Sequence, residues 1–206
     1  MPKVWADDEE VIFNEGIPED SQKIYELLMG ALSEQRKTVV EFMVDGVDAL
    51  ATNSFPKDFS EIKAVSMSHD EVTLRISEAS IAQTENLETE ISAYSKNILS
   101  TPWSVVVKQM DQFIAKIQPF ADIIDNVAPY ASAYTPPWSK KVNDIAQLQA
   151  ACLSRILNAF ETNNPSSLSE EVQTIFIPLL KNIKQLFTSE VIPQLREVVS
   201  TEKKSD

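Results

Sequence analysis

SHDEVTLRISEASIAQTENLETEISAYSKNI, residues 68–98, decides the fold. Ser68-His69-Asp70-Glu71 has capping-box spacing: Ser68 accepts a backbone N–H, and Glu71 reaches back to the N–H of the cap. Behind it, Val72, Ile76, Ala79, Gln83, Leu87, Ile91, Tyr94 and Ile98 recur in steps of three and four. That spacing predicts one long helix with a bundle-like seam.

The chain downstream reads the same way. Ser100-Thr101-Pro102 ends the first helix and starts a second, with proline where a missing N–H costs nothing. The second helix would face inward with Trp103, Val106, Val107, Met110, Phe113, Ile114, Ile117, Phe120 and Ile124, and Pro119 should kink or break it. Residues 128–138 read as a proline- and aromatic-rich connector. A third helix runs from about Ser139 to Phe160, with Val142, Ile145, Leu148, Cys152, Ile156, Ala159 and Phe160 inward. After Asn163-Asn164-Pro165 the last helix bears Leu168, Val172, Ile175, Phe176, Leu179, Leu180, Ile183, Leu186 and Phe187, continuing towards Val198. Pro178 and Pro193 should bend or interrupt it. Short connectors make neighbours antiparallel, so 68–200 reads as an irregular up-down four-helix bundle, with a charged, frayed tail at 201–206.

Upstream the texture changes. Residues 1–70 hold 15 acidic and 6 basic side chains, and all three glycines, Gly16, Gly30 and Gly46, lie there. Lys3–Ala6 and Glu10–Phe13 flank an acidic run, a hairpin without glycine at its turn. Ile24, Leu27, Leu28, Ala31 and Leu32 mark one helix face, which Asp20 or Ser21 can cap. Val40, Phe42 and Val44 alternate as a strand, Asp45-Gly46 signals a turn, Val47–Leu50 returns as a short strand, and Glu61–Met67 is a last strand. The order strand, strand, helix, strand, short strand, strand resembles the β-grasp (ubiquitin-like) fold, a small mixed sheet wrapping one helix. The fold class is therefore α+β: a β-grasp-like domain at 1–67, then the bundle.

Composition narrows the function. The net charge is −13, which repels phosphate backbones and anionic membranes, so neither nucleic acid nor membrane is expected as a partner. Basic clusters are no denser than pairs, such as Lys140–Lys141 and Lys203–Lys204. There is no signal peptide pattern, and the longest apolar run, Ile175–Leu180, is far shorter than the ~20 residues of a membrane span. A cytoplasmic location follows as the expectation. Widely separated glycines cannot build a phosphate loop.

Catalytic constellations fail on inventory. His69 is the sole histidine and Cys152 the sole cysteine, too few for a Cys/His or Ser/His/Asp system, a zinc site or a disulfide. Asp7 to Glu10 lacks the spacing of a calcium loop. Glu85–Glu88 and Glu170–Glu171 read as solvated helix faces, and Cys152 as a small core residue. No catalytic residue, metal or cofactor is expected. The aromatics Trp103, Tyr130, Tyr134 and Trp138, around the connectors with Pro129, Pro136 and Pro137, are the candidate partner-binding residues. The other reading of these four is a cap closing one end of the bundle.

NNPSSLSEEVQTIFIPLLKNIKQLF, residues 163–187, and VVEFMVDGVDAL, residues 39–50, resemble a group of uncharacterised bacterial proteins. The first resembles their closing helix, the second their strand ending in Val-Asp-Gly. This chain departs in the double Glu170–Glu171, where one acidic residue is usual. The resemblance implies a small α+β domain followed by a helical one, and no activity. The function expected is a non-enzymatic protein-interaction or adaptor module with an unknown protein or peptide partner. The alternative is a small-molecule binder with an apolar cavity between kinked helices. A homo-oligomer capped by the N-terminal domain stays open.

Overall fold

The computed structural model describes residues 2–14 and 16–202. The chain is α+β and divides into two compact units, Met1–Val72 and Thr73–Asp206. Of the tail expected at 201–206, Thr201 and Glu202 belong to the last helix, and 203–206, including Lys203 and Lys204, lie outside the described residues.

The N-terminal unit is a five-stranded mixed sheet with one long helix. Its strands are β1 (Lys3–Ala6), β2 (Glu9–Glu10), β3 (Lys37–Val44), β4 (Val47–Asp48) and β5 (Glu61–Ser68), with α1 (Ser21–Glu34) between β2 and β3. The spatial order is β2-β1-β5-β3-β4. β5 sits at the centre, parallel to β1 and antiparallel to β3. Val4, Ile24, Leu28, Phe42 and Ile62 form its core.

Four local readings change here. The hairpin turn is Asp7-Asp8, both at positive φ (50° and 66°). Aspartate tolerates the left-handed region, so a two-residue turn closes without glycine. Its second strand is Glu9–Glu10 rather than Glu10–Phe13. On α1, Asp20 caps by accepting the N–H of Gln22 (2.9 Å), while Ser21 is buried and donates to the Pro56 carbonyl. The buried stripe is Ile24, Leu28 and Leu32, flanked by half-buried Tyr25 and Met29, and Leu27 and Ala31 face solvent. In β3 the register shifts between Val39 and Glu41. This bulge turns Val39 inward and Val40 out, and the Met29 thioether stands 3.4 Å from the Val39 N–H. Finally, Val47-Asp48 is followed by a helical turn, α2 (Ala49–Thr52), which Asp48 caps through Leu50 and Ala51. The Asp45-Gly46 turn forms as the sequence predicts, and Asp45 Oδ1 also accepts the N–H groups of Ser60 and Glu61 (3.0 and 2.8 Å).

The helical unit contains α3 (His69–Gln83, which begins in the first unit), α4 (Leu87–Ile98), α5 (Trp103–Lys108), α6 (Met110–Tyr134) and α7 (Ser139–Glu161), followed by one helical run over 165–202. Ser68 Oγ accepts the Glu71 N–H at 3.2 Å, as the capping-box spacing requires. The predicted single helix over 68–98 is broken at 84–86, and its seam is half right. Leu87, Ile91 and Ile98 are buried, with Tyr94 partly so. In α3 the buried positions are Asp70 in the first turn, then Thr73, Leu74, Ser77 and Ser80, followed by Thr84 beyond its end, while Ala79 and Gln83 are exposed. Small hydroxyl side chains, not the larger apolar ones, line that face.

Proline breaks are also fewer than predicted. The second helix breaks at Gln109, and α6 then runs through Pro119 and Pro129. The connector shrinks to 135–138, so Tyr130 and Tyr134 are helical. The residues whose carbonyls lose their donors, Ala115 and Asp125, lie on the exposed side, where water replaces the missing N–H. From α7, the buried Gln149 donates to the Phe120 and Ala121 carbonyls (3.0 and 3.1 Å). Leu148, expected inward, is 57% exposed, and Ile175 38%.

The run over 165–202 comprises α8 (Pro165–Glu171), a π turn (Val172–Phe176), α9 (Ile177–Leu186), a second π turn (Phe187–Val191) and α10 (Ile192–Glu202). Neither Pro178 nor Pro193 interrupts it. Each stands at the second position after a π turn, within a repeat 15 residues apart, Phe176-Ile177-Pro178-Leu179-Leu180-Lys181 and Val191-Ile192-Pro193-Gln194-Leu195-Arg196. Four residues before each proline a hydroxyl bonds back to the helix: Thr174 to the Glu170 carbonyl (2.8 Å) and Ser189 to that of Gln185 (2.6 Å).

The π turns keep one face buried. Leu168, Val172, Phe176, Leu180, Ile183, Phe187, Val191, Leu195 and Val199 form the stripe. At ~100° per residue, an unbroken α-helix would carry Val199 about 220° around the axis from Leu168. A π turn closes at i+5 and absorbs roughly one residue, so two turns remove about 200° and bring the stripe back into line.

Removing Thr188, exposed inside the second π turn, together with Pro193→Ala should therefore leave a folded protein with its stripe intact. Removing Asn182 from α9 turns the C-terminal part of the stripe by ~100° and should collapse the cooperative transition. Urea unfolding followed by circular dichroism compares the two. Equal damage from both deletions contradicts the compensation.

Candidate interaction surface

In the N-terminal unit α1 packs on one face of the sheet, and strand alternation sends every second side chain to the other face. The registers set out that second face. Glu10 stands opposite Trp5, Trp5 opposite Lys63, Lys63 opposite Met43, and Met43 opposite Asp48. In the next row Val65 stands opposite Glu41. Between these rows lies a concavity of about 360 Å³ lined by Trp5, Asp7, Asp8, Glu41, Met43, Lys63, Ala64 and Val65.

The floor is apolar and the rim charged. Val65 is 43% exposed, and Trp5 and Met43 are half-buried. The Lys3 ammonium sits 5.9 Å from the centre of the Trp5 ring, a cation–π geometry. The Trp5 indole N–H is shielded from solvent, yet meets no acceptor among the described residues. Lys63 is paired with Glu61 at 3.1 Å. Asp7 accepts the N–H of Ser66 at 2.7 Å and its hydroxyl as well. It thus ties the hairpin to β5, and the acidic run is a structural turn. The sheet edges are poor docking strands: β2 and β4 have two residues each, and β3 carries the bulge.

The four aromatics predicted as one patch separate. Trp103 lies near the start of α6. Its Nε1 donates to Asn163 Oδ1 (2.7 Å), and its ring lies 5.8 Å from Phe160. Tyr130, Tyr134 and Trp138 gather at the opposite end, with Tyr130 centred 4.8 Å from Tyr134 and stacked 5.9 Å from Trp138. Phe113, which shares Phe160 as a neighbour with Trp103, and Tyr130 are about 25 Å apart along the helix at 1.5 Å per residue. Trp138 is 1% exposed, and Tyr130 and Trp103 pack against the core. The geometry is that of two helix-end closures.

Among the described residues the helical unit also carries hollows of its own. An apolar groove of about 130 Å³ runs between α6 and α7 past Ile114, Ile117, Ala121, Leu153 and Leu157. A polar one of about 320 Å³ is lined by Lys141, Asp144, Asn182, Gln185 and Glu190. The basic pair there is matched: Lys140 with Asp144 (2.6 Å) and Lys141 with Glu190 (2.6 Å).

Cys152 is buried on α7. Burial, then a hydrogen bond to Glu171, pushes its thiol pKa up to about 12, away from the thiolate that nucleophilic chemistry needs. Glu171, expected on a solvated face, is only 12% exposed and pairs with Arg155 at 2.8 Å. Burial likewise raises the Tyr94 phenol, which stacks on Phe113. His69 lies at the start of α3, in the other unit. Among the described residues no three His, Cys, Asp or Glu side chains group so as to hold a metal ion, and no helix is long and apolar enough to cross a membrane.

The sheet face was missed by the sequence reading, although its signal is present in the period-2 alternation of Lys3, Trp5 and of Lys63, Val65. Compared with protein families, curated proteins and solved structures, the chain matches none.

At pH 8 the native protein should leave Cys152 unmodified by iodoacetamide, and urea should expose it to full alkylation, read by mass spectrometry. A raised folded-state pKa stabilises the protein fully below pH ~9 and less as pH rises towards 12. In a Tyr94→Phe background, Cys152→Ala should flatten the fall in urea stability over that window. An unchanged slope refutes the assignment.

Proposed function

We propose that this is a non-enzymatic protein-interaction module of the cytoplasm, built from a β-grasp-like domain and an irregular up-down four-helix bundle, which receives its partner on the open face of the sheet. The single observation that carries the reading is the apolar floor of Trp5, Met43 and Val65, left partly open inside a charged rim. An apolar centre ringed by polar groups is the usual anatomy of a docking surface.

Several features support the rest. The order strand, strand, helix, strand, short strand, strand, with β1 and β5 parallel at the centre, favours the β-grasp likeness. The packing of α6 on α7 and of α4 on the run over 165–202 favours the bundle. Neutralised Lys140 and Lys141 favour a partner other than nucleic acid. The small-molecule alternative draws less support, since the apolar groove of about 130 Å³ is small beside the ~300–1,000 Å³ of ordinary ligand sites.

Affinity capture with the full chain tests the reading. Val65→Asp changes a 43% exposed side chain, so the fold should survive, as a thermal melt would verify. The partner enriched by wild type should fall about tenfold with this variant and persist with Ile175→Asp, a substitution on the helical unit. Identical captures from all three proteins would end the proposal.

A further inference from the structure

We infer that the segment received by this sheet face is basic, with an aliphatic or aromatic anchor flanked by lysine or arginine; the inference rests on the docking reading above. The charges around the apolar floor are unbalanced. Asp8 and Glu41 line the concavity itself, and Glu10 stands beside Trp5 across the β1–β2 pair. On the cationic side, Lys63 is matched by Glu61 at 3.1 Å, and Lys3 lies over the Trp5 ring. The surplus is negative, on a chain whose net charge is already −13.

A further feature fits the same occupant. The Trp5 ring attracts a cation, Lys3 at 5.9 Å from its centre, and a guanidinium or ammonium from a partner would compete with Lys3 for that ring. The strands are ~4.8 Å apart, so the floor from Trp5 on β1 to Met43 on β3 is about 10 Å wide. One large apolar side chain fits that span, with its basic neighbours reaching Glu10 and Asp8 on the β1–β2 side and Glu41 on the β3 side. Charges at such a rim act mainly on specificity and association rate, and salt weakens them.

The test uses the full chain, labelled with nitrogen-15. Its three tryptophans, Trp5, Trp103 and Trp138, give three indole signals that report on separate places. Three synthetic nonapeptides serve as probes, each with a central leucine, flanked by lysines, glutamines or glutamates. The lysine probe should shift the Trp5 indole and the Met43 and Val65 amides, leave Trp103 and Trp138 unmoved, and lose about tenfold in affinity from low to moderately high salt. The double variant Asp8→Asn, Glu41→Gln removes two charges with little change of shape and should weaken that probe about tenfold.

Equal binding of the glutamine probe overturns the inference while leaving the docking face standing. A preference for the glutamate probe overturns it as well. If no probe moves any resonance of the sheet face, the inference fails, and the Val65→Asp capture experiment decides separately whether the face docks anything.

Discussion

A proline inside a helix has no N–H to give, and its ring needs the space taken by a carbonyl four residues back. The helical unit has to satisfy that constraint four times, at Pro119, Pro129, Pro178 and Pro193. It uses two solutions. In α6 the prolines leave freed carbonyls towards solvent. In the run over 165–202 each proline follows a π turn, which makes room for the ring and delays the helix by one residue. The second solution also keeps nine apolar side chains on one line. Without it the C-terminal part of that helix would turn Phe187, Val191, Leu195 and Val199 away from the core in which they are now buried.

The N-terminal unit obeys a simpler rule. A single helix covers one face of a sheet, and the other face has to be soluble. Here solubility comes from Glu10, Lys63, Glu41 and Asp48, set beside or between apolar residues by register. Trp5, Met43 and Val65 remain as exceptions to that pattern. The unit therefore separates its two tasks by strand parity: Val4, Ile62, Ala64 and Phe42 fold it, and their immediate neighbours in sequence face outward.

The sequence reveals the α+β class, the order of elements and most of the helical core, because spacing of three and four or of two survives in Leu87–Ile98, Ser139–Phe160 and Glu61–Ala64. What escapes it are places where a rule has two outcomes. A threonine or serine on a helix can be buried as a small spacer, so the inward face of α3 passes for its outward one. A bulge adds one residue to β3, and the parity of Val39 and Val40 cannot be read without its partner strand. Prolines announce interruption, yet both helices continue because solvent or a wider turn takes up the loss. The aromatic quartet looks like one cluster because its connectors are close in sequence. A helix of 25 residues then separates Trp103 from the other three. The sheet face was hidden for a related reason: Trp5 gains its neighbours Lys63 and Met43 only when distant strands pair.

The paired π turns also set where this helix tolerates a change in its length. Within 172–176 or 187–191 one residue can be lost as the wide turn reverts to ordinary α geometry, and the remainder of the helix keeps its orientation. Elsewhere along the same helix a one-residue change rotates everything beyond it by ~100°. The molecule's longest element is thus the one best equipped to absorb drift in its own length.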